Sequence, residues 1–386
     1  MKPAIPPGNA PKAVLAIVCS SCLRRYQVPA SAAGKSVSCK ACGKAFPLRV
    51  LGQYQILNEI GSGTFGAVFR GFDTKLKRFV AIKLLHGQWS GDAQVVARFR
   101  KEAQITAQIN HPNIVPLHAF GENDRETYFV SALVSGKELK SLIPPTGFED
   151  PRQAVQIAIT VLEALDHVHR THKVLHRDIK PANIMIDERG FVYLLDFGVA
   201  ACRDPDMSFK TTPGGSMGTP AYMAPEQADA RTELMGPASD QYSVGVVLYH
   251  MLTGRVPFEK PYPYLLVQIL EENPPRPLSF RPNLAPVLEK SVLRALAKSP
   301  ERRFPTCMEF AAALREWLEN SGSAAAVSGK LRWWAIGAVA TAGLAALLAG
   351  GILMTRLLGP RPKPPVEFHK QDWTPKSVPS SKDPPK

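Results

Sequence analysis

Glycines at 61, 63 and 66 punctuate the stretch EIGSGTFGAVF (Glu59–Phe69), and the residues after them decide between two folds. A G-x-G-x-x-G loop that opens a helix belongs to a dinucleotide-binding βαβ unit. Here the glycines run into AVFRGFD, a β-type alternation, so the pattern predicts a hairpin with the glycines at its tip. Glycine suits such a tip because bare backbone can approach phosphate with no side chain in the way. Fifteen residues after Val68, the apolar strand VAIK ends in Lys83, a placement that suits a buried ammonium facing phosphate oxygens.

Charge and length set the wider frame. The 386 residues allow one large domain with attachments. The net charge of +14 is uneven: residues 1–50 hold eight Lys/Arg and no acid, and residues 330–386 hold nine against three. The block 51–329 has thirty of each sign, which excludes a generic polyanion binder there and makes nucleic acid an unlikely main partner. Six cysteines are too few for a disulfide scaffold at this length, and no secretory leader is visible, so a reducing compartment is expected.

Two further motifs complete the middle block: VLHRDIKPANIMI (Val174–Ile186) and YLLDFGVA (Tyr193–Ala200). With the glycine loop and VAIK, in this order, they make residues 54–318 resemble a eukaryotic-type (Hanks-type) Ser/Thr protein kinase of the bacterial style. The resemblance implies an α+β bilobal kinase fold, with a β-rich N-lobe and a helical C-lobe, that uses ATP and Mg²⁺ (or Mn²⁺). It places the nucleotide against Ile60, Gly61, Ser62, Gly63, Gly66, Val68, Ala81, Lys83, Ser131 and Leu133. Lys83 would pair with Glu102, the only acid in the helical stretch VARFRKEAQITAQI. Asp178 would orient the attacking hydroxyl, Lys180 would steady the transferred group, and Asn183 and Asp196 would hold Mg²⁺. Lys180, two residues after Asp178, and the stretch GTPAYMAPE with Thr219 resemble Ser/Thr rather than Tyr kinases. Glu226 is expected to pair with Arg303, and Asp240 to anchor a central helix. The other reading is a catalytically idle kinase fold that acts as a membrane scaffold and recruits partners through the cysteine-containing N-terminal stretch, a zinc ribbon.

The same resemblance carries expectations about control. Arg177 precedes Asp178, so phosphate on Thr211 or Thr212 of the activation segment would neutralise it and order the loop. His111 and His176 read as structural; His167, His169 and His172, near a helix end, read as surface or capping residues. YFVSALVSGKEL should be the hinge, where family members usually carry a larger residue than Ser131 and an acid at Ala132. A small Ser131 would open a pocket behind adenine.

The appendages are distinct. Residues 1–12 form a proline-rich tail, and 13–50 contain Cys19, Cys22, Cys39 and Cys42 as C-x₂-C-x₁₆-C-x₂-C. Four thiolates at this spacing suit a closed, structural Zn²⁺ site, and the stretch resembles short N-terminal zinc ribbons; a redox dithiol is the alternative. Gly43 fits a tight turn after the second pair, where Leu23 replaces it after the first. After a linker at 319–332, residues 333–355 carry no charge between Arg332 and Arg356. At ~1.5 Å per residue they span a hydrocarbon core of roughly 30 Å, giving a single-pass inner-membrane helix before the proline-rich tail 356–386. Flanking basic residues are no richer before the run than after it, so the cytosolic placement of the kinase block rests on ATP and thiols. Ala342, Ala346 and Gly350 lie four apart and would suit a helix homodimer.

Overall fold

A computed structural model describes residues 14–63, 66–123, 126–197 and 220–321. Thr211, Thr212 and Thr219, the apolar run 333–355 with its small residues, and the tails at 1–12 and 356–386 lie outside these residues.

Short alternating strands open the chain. β1 (Val14–Val18) pairs antiparallel with β2 (Arg25–Pro29), and β3 (Ser36–Ser38) with β4 (Ala45–Pro47). Each hairpin carries one C-x-x-C turn at its tip. Ile17, Cys19, Val28, Cys39, Phe46 and Leu48 form the small core beneath them.

The chain then enters a six-stranded antiparallel sheet in the order β5-β6-β7-β8-β10-β9. Its strands are β5 (Arg49–Leu51), β6 (Tyr54–Ser62), β7 (Gly66–Asp73), β8 (Arg78–Leu85), β9 (Leu117–Glu122) and β10 (Thr127–Ala132). The glycine stretch is the tip of the β6–β7 hairpin, with Gly61 opposite Val68. β5 comes directly after the cysteine hairpins yet pairs with β6, Val50 opposite Gln55. Helix α1 (Ala93–Gln108) starts at Asp92, whose carboxylate accepts from the Gln94 and Val95 N–H groups. Val95, Phe99, Glu102 and Ala103 form its buried stripe, and its apolar members pack with Leu85 and Phe129 of the sheet.

The second lobe is helical. A small sheet, β11 (Gly136–Glu138), β12 (Ile184–Asp187) and β13 (Val192–Leu194), lies among α2 (Leu139–Leu142), α3 (Pro151–Thr171), α4 (Pro225–Ala228), α5 (Pro237–Thr253), α6 (Tyr264–Glu271), α7 (Pro277–Phe280), α8 (Pro286–Ala295) and a last helix, 307–321. α5 is buried on nearly every side: its apolar residues from Tyr242 to Leu252 join the main core, and its buried polar Ser239, Asp240 and Gln241 all have hydrogen-bond partners. It stops at Gly254, whose φ of +76° and close approach to the Pro145 carbonyl leave no room for a Cβ. Among the described residues no helix is long and apolar enough to cross a membrane.

Candidate active site

Lys83 lies on β8 opposite Phe129 of β10, with its Nζ 5.2 Å from that ring's centre. The ammonium reaches two carboxylates, Glu102 Oε1 and Asp196 Oδ2, each at 2.9 Å. Burial alone would lower the Lys83 pKa, but the Asp196 and Glu102 charges outweigh it and hold the group firmly protonated. Burial pushes Glu102 above the usual carboxylate range despite Lys83. Asp196 is held below that range, because Lys83 outweighs the effect of burial.

The second cluster sits on the loop after α3. Asp178 Oδ2 accepts from Lys180 Nζ (2.7 Å) and from Asn183 Nδ2 (2.9 Å). The same Asn183 amide donates to the Asp178 carbonyl (2.8 Å), tying the loop's two functional ends together. The two clusters are tied through the chain just before Asp196, where the Leu195 N–H donates to the Asn183 carbonyl (2.9 Å). Arg177 and Asp196 both have left-handed backbones (φ +69° and +39°), a local strain that surrounding contacts must sustain.

For Arg177 those contacts come from α5 and α4. Asp240, 1% exposed, accepts from the His176 N–H (2.8 Å) and the Arg177 N–H (2.7 Å). Gln227 Nε2 donates to the Arg177 carbonyl at 2.9 Å. The His176 ring is fully buried, bonds the Leu195 carbonyl (2.8 Å) and lies 4.7 Å from the Phe197 ring. Burial lowers its pKa, so it is neutral.

The positions expected to face nucleotide lie on the β6–β7 hairpin, on β8 and at or just past the end of β10. Gly63 N–H donates to the Gly66 carbonyl across the hairpin tip (2.9 Å), and His86 Nε2 lies 3.1 Å from the Gly63 carbonyl. A Cβ on Gly66 would come within 2.4 Å of the Leu84 carbonyl, so glycine is required there. Val68, Ala81, Ser131 and Leu133 are half-buried, while Ile60 and Ser62 are exposed. Ser131 stands opposite Ala81, at a register shift between Val130 and Ser131, so two small residues face one another there.

The protein kinase domain family matches residues 54–310. The chain belongs to that family. Among curated proteins it is 38% identical over 269 residues to a probable serine/threonine-protein kinase PknB of Bifidobacterium longum, covering 67% of this chain and 39% of that protein. It is 35% identical over 268 residues to the serine/threonine-protein kinase PrkC of Bacillus subtilis, covering 69% of this chain and 41% of that one. The chain thus spans about two fifths of the length of these relatives. Among solved structures it is similar to the Mycobacterium tuberculosis PknI kinase domain, with TM-score 0.55 and 26% identity over 69% of this chain and 97% of that one.

Within this kinase domain, one expectation needs correction. His169 is neither a surface nor a capping residue: it is buried, and its Nε2 lies 2.7 Å from Asp240 Oδ2. Its Nδ1 faces the buried Cys307 sulfur at 3.8 Å, a thiol that burial keeps protonated. His172 does sit at the C-cap of α3. Arg303 and Glu226 meet as expected, through two hydrogen bonds of 2.7 and 2.8 Å, with side chains 0% and 2% exposed. Sequence reasoning missed the roles of Gln227 and Gln55; nothing in either local pattern signals them.

The four cysteines converge at the hairpin tips. Their sulfurs all lie within 4.8 Å of one another, with Cys19–Cys42 at 3.7 Å and Cys22–Cys39 at 3.6 Å. Thiolates ~2.3 Å from a tetrahedral zinc ion stand about 3.8 Å apart, so the donor set fits that metal. The two turns repeat one another. Leu23 N–H donates to the Cys19 carbonyl and Gly43 N–H to the Cys39 carbonyl, and the Ser21 and Ala41 amides point at Cys19 and Cys39 sulfurs. Leu23 adopts the same left-handed backbone as Gly43 (φ +56° and +71°), so the departure in sequence leaves the turn unchanged. The N–H groups of Cys42 and Ala41 draw the Cys39 pKa down to about 6. For Cys42 the Lys44 N–H acts downward, but burial and the other three sulfurs push it up to about 11. Four sulfurs this close ionise together only around a cation.

Proposed function

We propose that this chain is an ATP-dependent Ser/Thr protein kinase. The observation that carries the reading is Lys83 bonded to both Glu102 and Asp196, facing Asp178 with its Lys180 and Asn183 partners. Little covalent chemistry is asked of a phosphoryl-transfer enzyme; positioning and charge carry the rate. Gly61, Gly63 and Gly66 cover the phosphates, and Ile60, Ser62, Val68, Ala81, Ser131 and Leu133 complete the nucleotide pocket. Lys83, fixed by Glu102, binds the α- and β-phosphates. Asp178 accepts a hydrogen bond from the substrate hydroxyl and aims it, and Lys180 steadies the moving phosphoryl group. Asn183 and Asp196 are the residues that would hold Mg²⁺, whose charge offsets that on the phosphates.

The acceptors are protein Ser/Thr hydroxyls, as the names of the relatives suggest. Arg177 is the docking charge for phosphate on Thr211 or Thr212, and Thr219 couples the loop to Asp178. Cys19, Cys22, Cys39 and Cys42 hold a structural Zn²⁺ in a ribbon at 13–50, ahead of the kinase domain at 54–318. Residues 333–355 anchor the chain in the inner membrane with the kinase domain cytoplasmic, and the small-residue face of that helix supports a homodimer. Mass spectrometry of chain incubated with ATP, Mg²⁺ and a generic protein acceptor tests the reading. Phosphate on acceptor Ser/Thr and on Thr211 or Thr212 is expected; an unmodified acceptor overturns the enzyme and favours the scaffold.

A further inference from the structure

The cysteine hairpins are built into the nucleotide-binding lobe. Gln55, on β6, is fully buried, although an ordinary strand glutamine faces water. Its side chain behaves as an extra peptide unit: Oε1 accepts from the Val18 N–H (2.9 Å) and Nε2 donates to the Val18 carbonyl (2.8 Å). Val18 is the residue before Cys19, so this clasp grips the chain one residue from the metal set. Three more links run in parallel. Val50 of β5 pairs with Gln55 and packs in the ribbon core. The Arg25 guanidinium lies 5.3 Å from the Phe72 ring of β7, and Arg49 lies 5.9 Å from Phe69 and pairs with Glu126. Every one of these partners lies on β6, on β7 or just before β10. β6 itself runs from Tyr54 to Ser62, so one strand joins the clasp to the first phosphate-loop glycine.

We propose that the zinc ribbon is a positioning element of the nucleotide-binding lobe, acting through Gln55 on the strand that carries the glycine loop. This coupling rests on the zinc reading proposed for the four cysteines. Two-stranded hairpins over so small a core do not hold their shape alone, and metal binding supplies the missing folding energy. Metal loss therefore frees Val18, leaves the buried Gln55 amide without partners and loosens β6 along its edge. Nucleotide affinity falls as a result, with no ribbon residue touching the nucleotide.

The test uses the full chain with four readouts: zinc content, affinity for a fluorescent ATP analogue, amide exchange over residues 54–63, and KM for ATP and for acceptor. Chelating zinc from the wild type should weaken the analogue about fivefold or more and speed exchange over 54–63. Gln55→Ala should retain zinc, show the same weakening with a raised KM for ATP and an unmoved KM for acceptor, and respond less than about twofold to chelation. A merely structural role would lower the melting temperature and leave the affinity of the folded protein untouched. Chelation of the wild type keeps the test valid if Gln55→Ala does not fold. A chain that takes up no zinc sinks the metal site and the coupling with it. Zinc taken up, with affinity and exchange unmoved by its removal, sinks the coupling alone.

Discussion

Asp240→Asn is the sharpest probe of how the helical lobe holds the catalytic loop. Asp240 accepts three hydrogen bonds, from the His176 and Arg177 N–H groups and from His169 Nε2, at 2.7–2.8 Å and 1% exposure. Asparagine offers one oxygen and one NH₂. Whichever way it turns, its NH₂ meets at least one backbone N–H or the His169 donor. The lost charge-assisted bond costs about 1.5–3 kcal/mol and the orphaned buried donor about 1–3 kcal/mol, so a total of about 2.5–6 kcal/mol is expected. In a domain of this size that lowers Tm by roughly 5–15 °C. At a temperature where the variant is folded, the Arg177–Asp178 backbone has lost its anchor, and kcat should fall about 100-fold. ATP affinity should hold, since Lys83 and Glu102 lie on the other lobe. Calorimetry and steady-state kinetics check this. A Tm and a kcat both indistinguishable from wild type would refute the anchoring by Asp240.

Other perturbations report on separate parts of the molecule. Arg303→Met strands Glu226 in a site where both side chains are almost fully buried, so urea unfolding should show a loss of about 3–5 kcal/mol; a loss under about 1 kcal/mol would contradict the pair's role. Ser131→Met should cut the potency of bulky adenine-like inhibitors about tenfold or more, because it fills the space opposite Ala81; equal potency in a competition assay counts against that pocket. Acidification should abolish activity before it unfolds the protein. Burial raises the Glu102 pKa, so the folded state favours its protonation and the Lys83 pair breaks without a stability penalty. Asp196, Asp240 and Glu226 are held low, so their stabilisation is lost only at more acid pH. Activity and circular dichroism that fall together on titration would remove this ordering.

Much of the site was legible because its chemistry is local. Gly61 to Gly66, Lys83, and the Asp178–Asn183 loop are each marked by a pattern within a few residues, and Glu102 could be picked as the one acid on its helix. The α+β two-lobe fold came from the family resemblance of those motifs. What stayed hidden depends on distant partners. His169 sits in a helix-end cluster of histidines whose spacing says nothing of Asp240, 71 residues on. Gln55 reads as a solvated strand residue until Val18, 37 residues earlier, is placed against it. The boundary expected between 50 and 54 also hides that β5 belongs to the lobe's sheet, since a three-residue strand has too little pattern to declare its partner.

Phosphoryl transfer organised by Asp178 between Lys83 and Asp196 is the central claim. Its most direct measurement is incubation of wild type and Asp178→Asn with γ-labelled ATP, Mg²⁺ and a protein acceptor, followed by phosphoamino-acid analysis. The expected result is label on Ser and Thr from the wild type, and a loss of at least about 100-fold in Asp178→Asn with ATP binding retained. Equal labelling by the two proteins, or a wild type that binds ATP and transfers nothing, would contradict it.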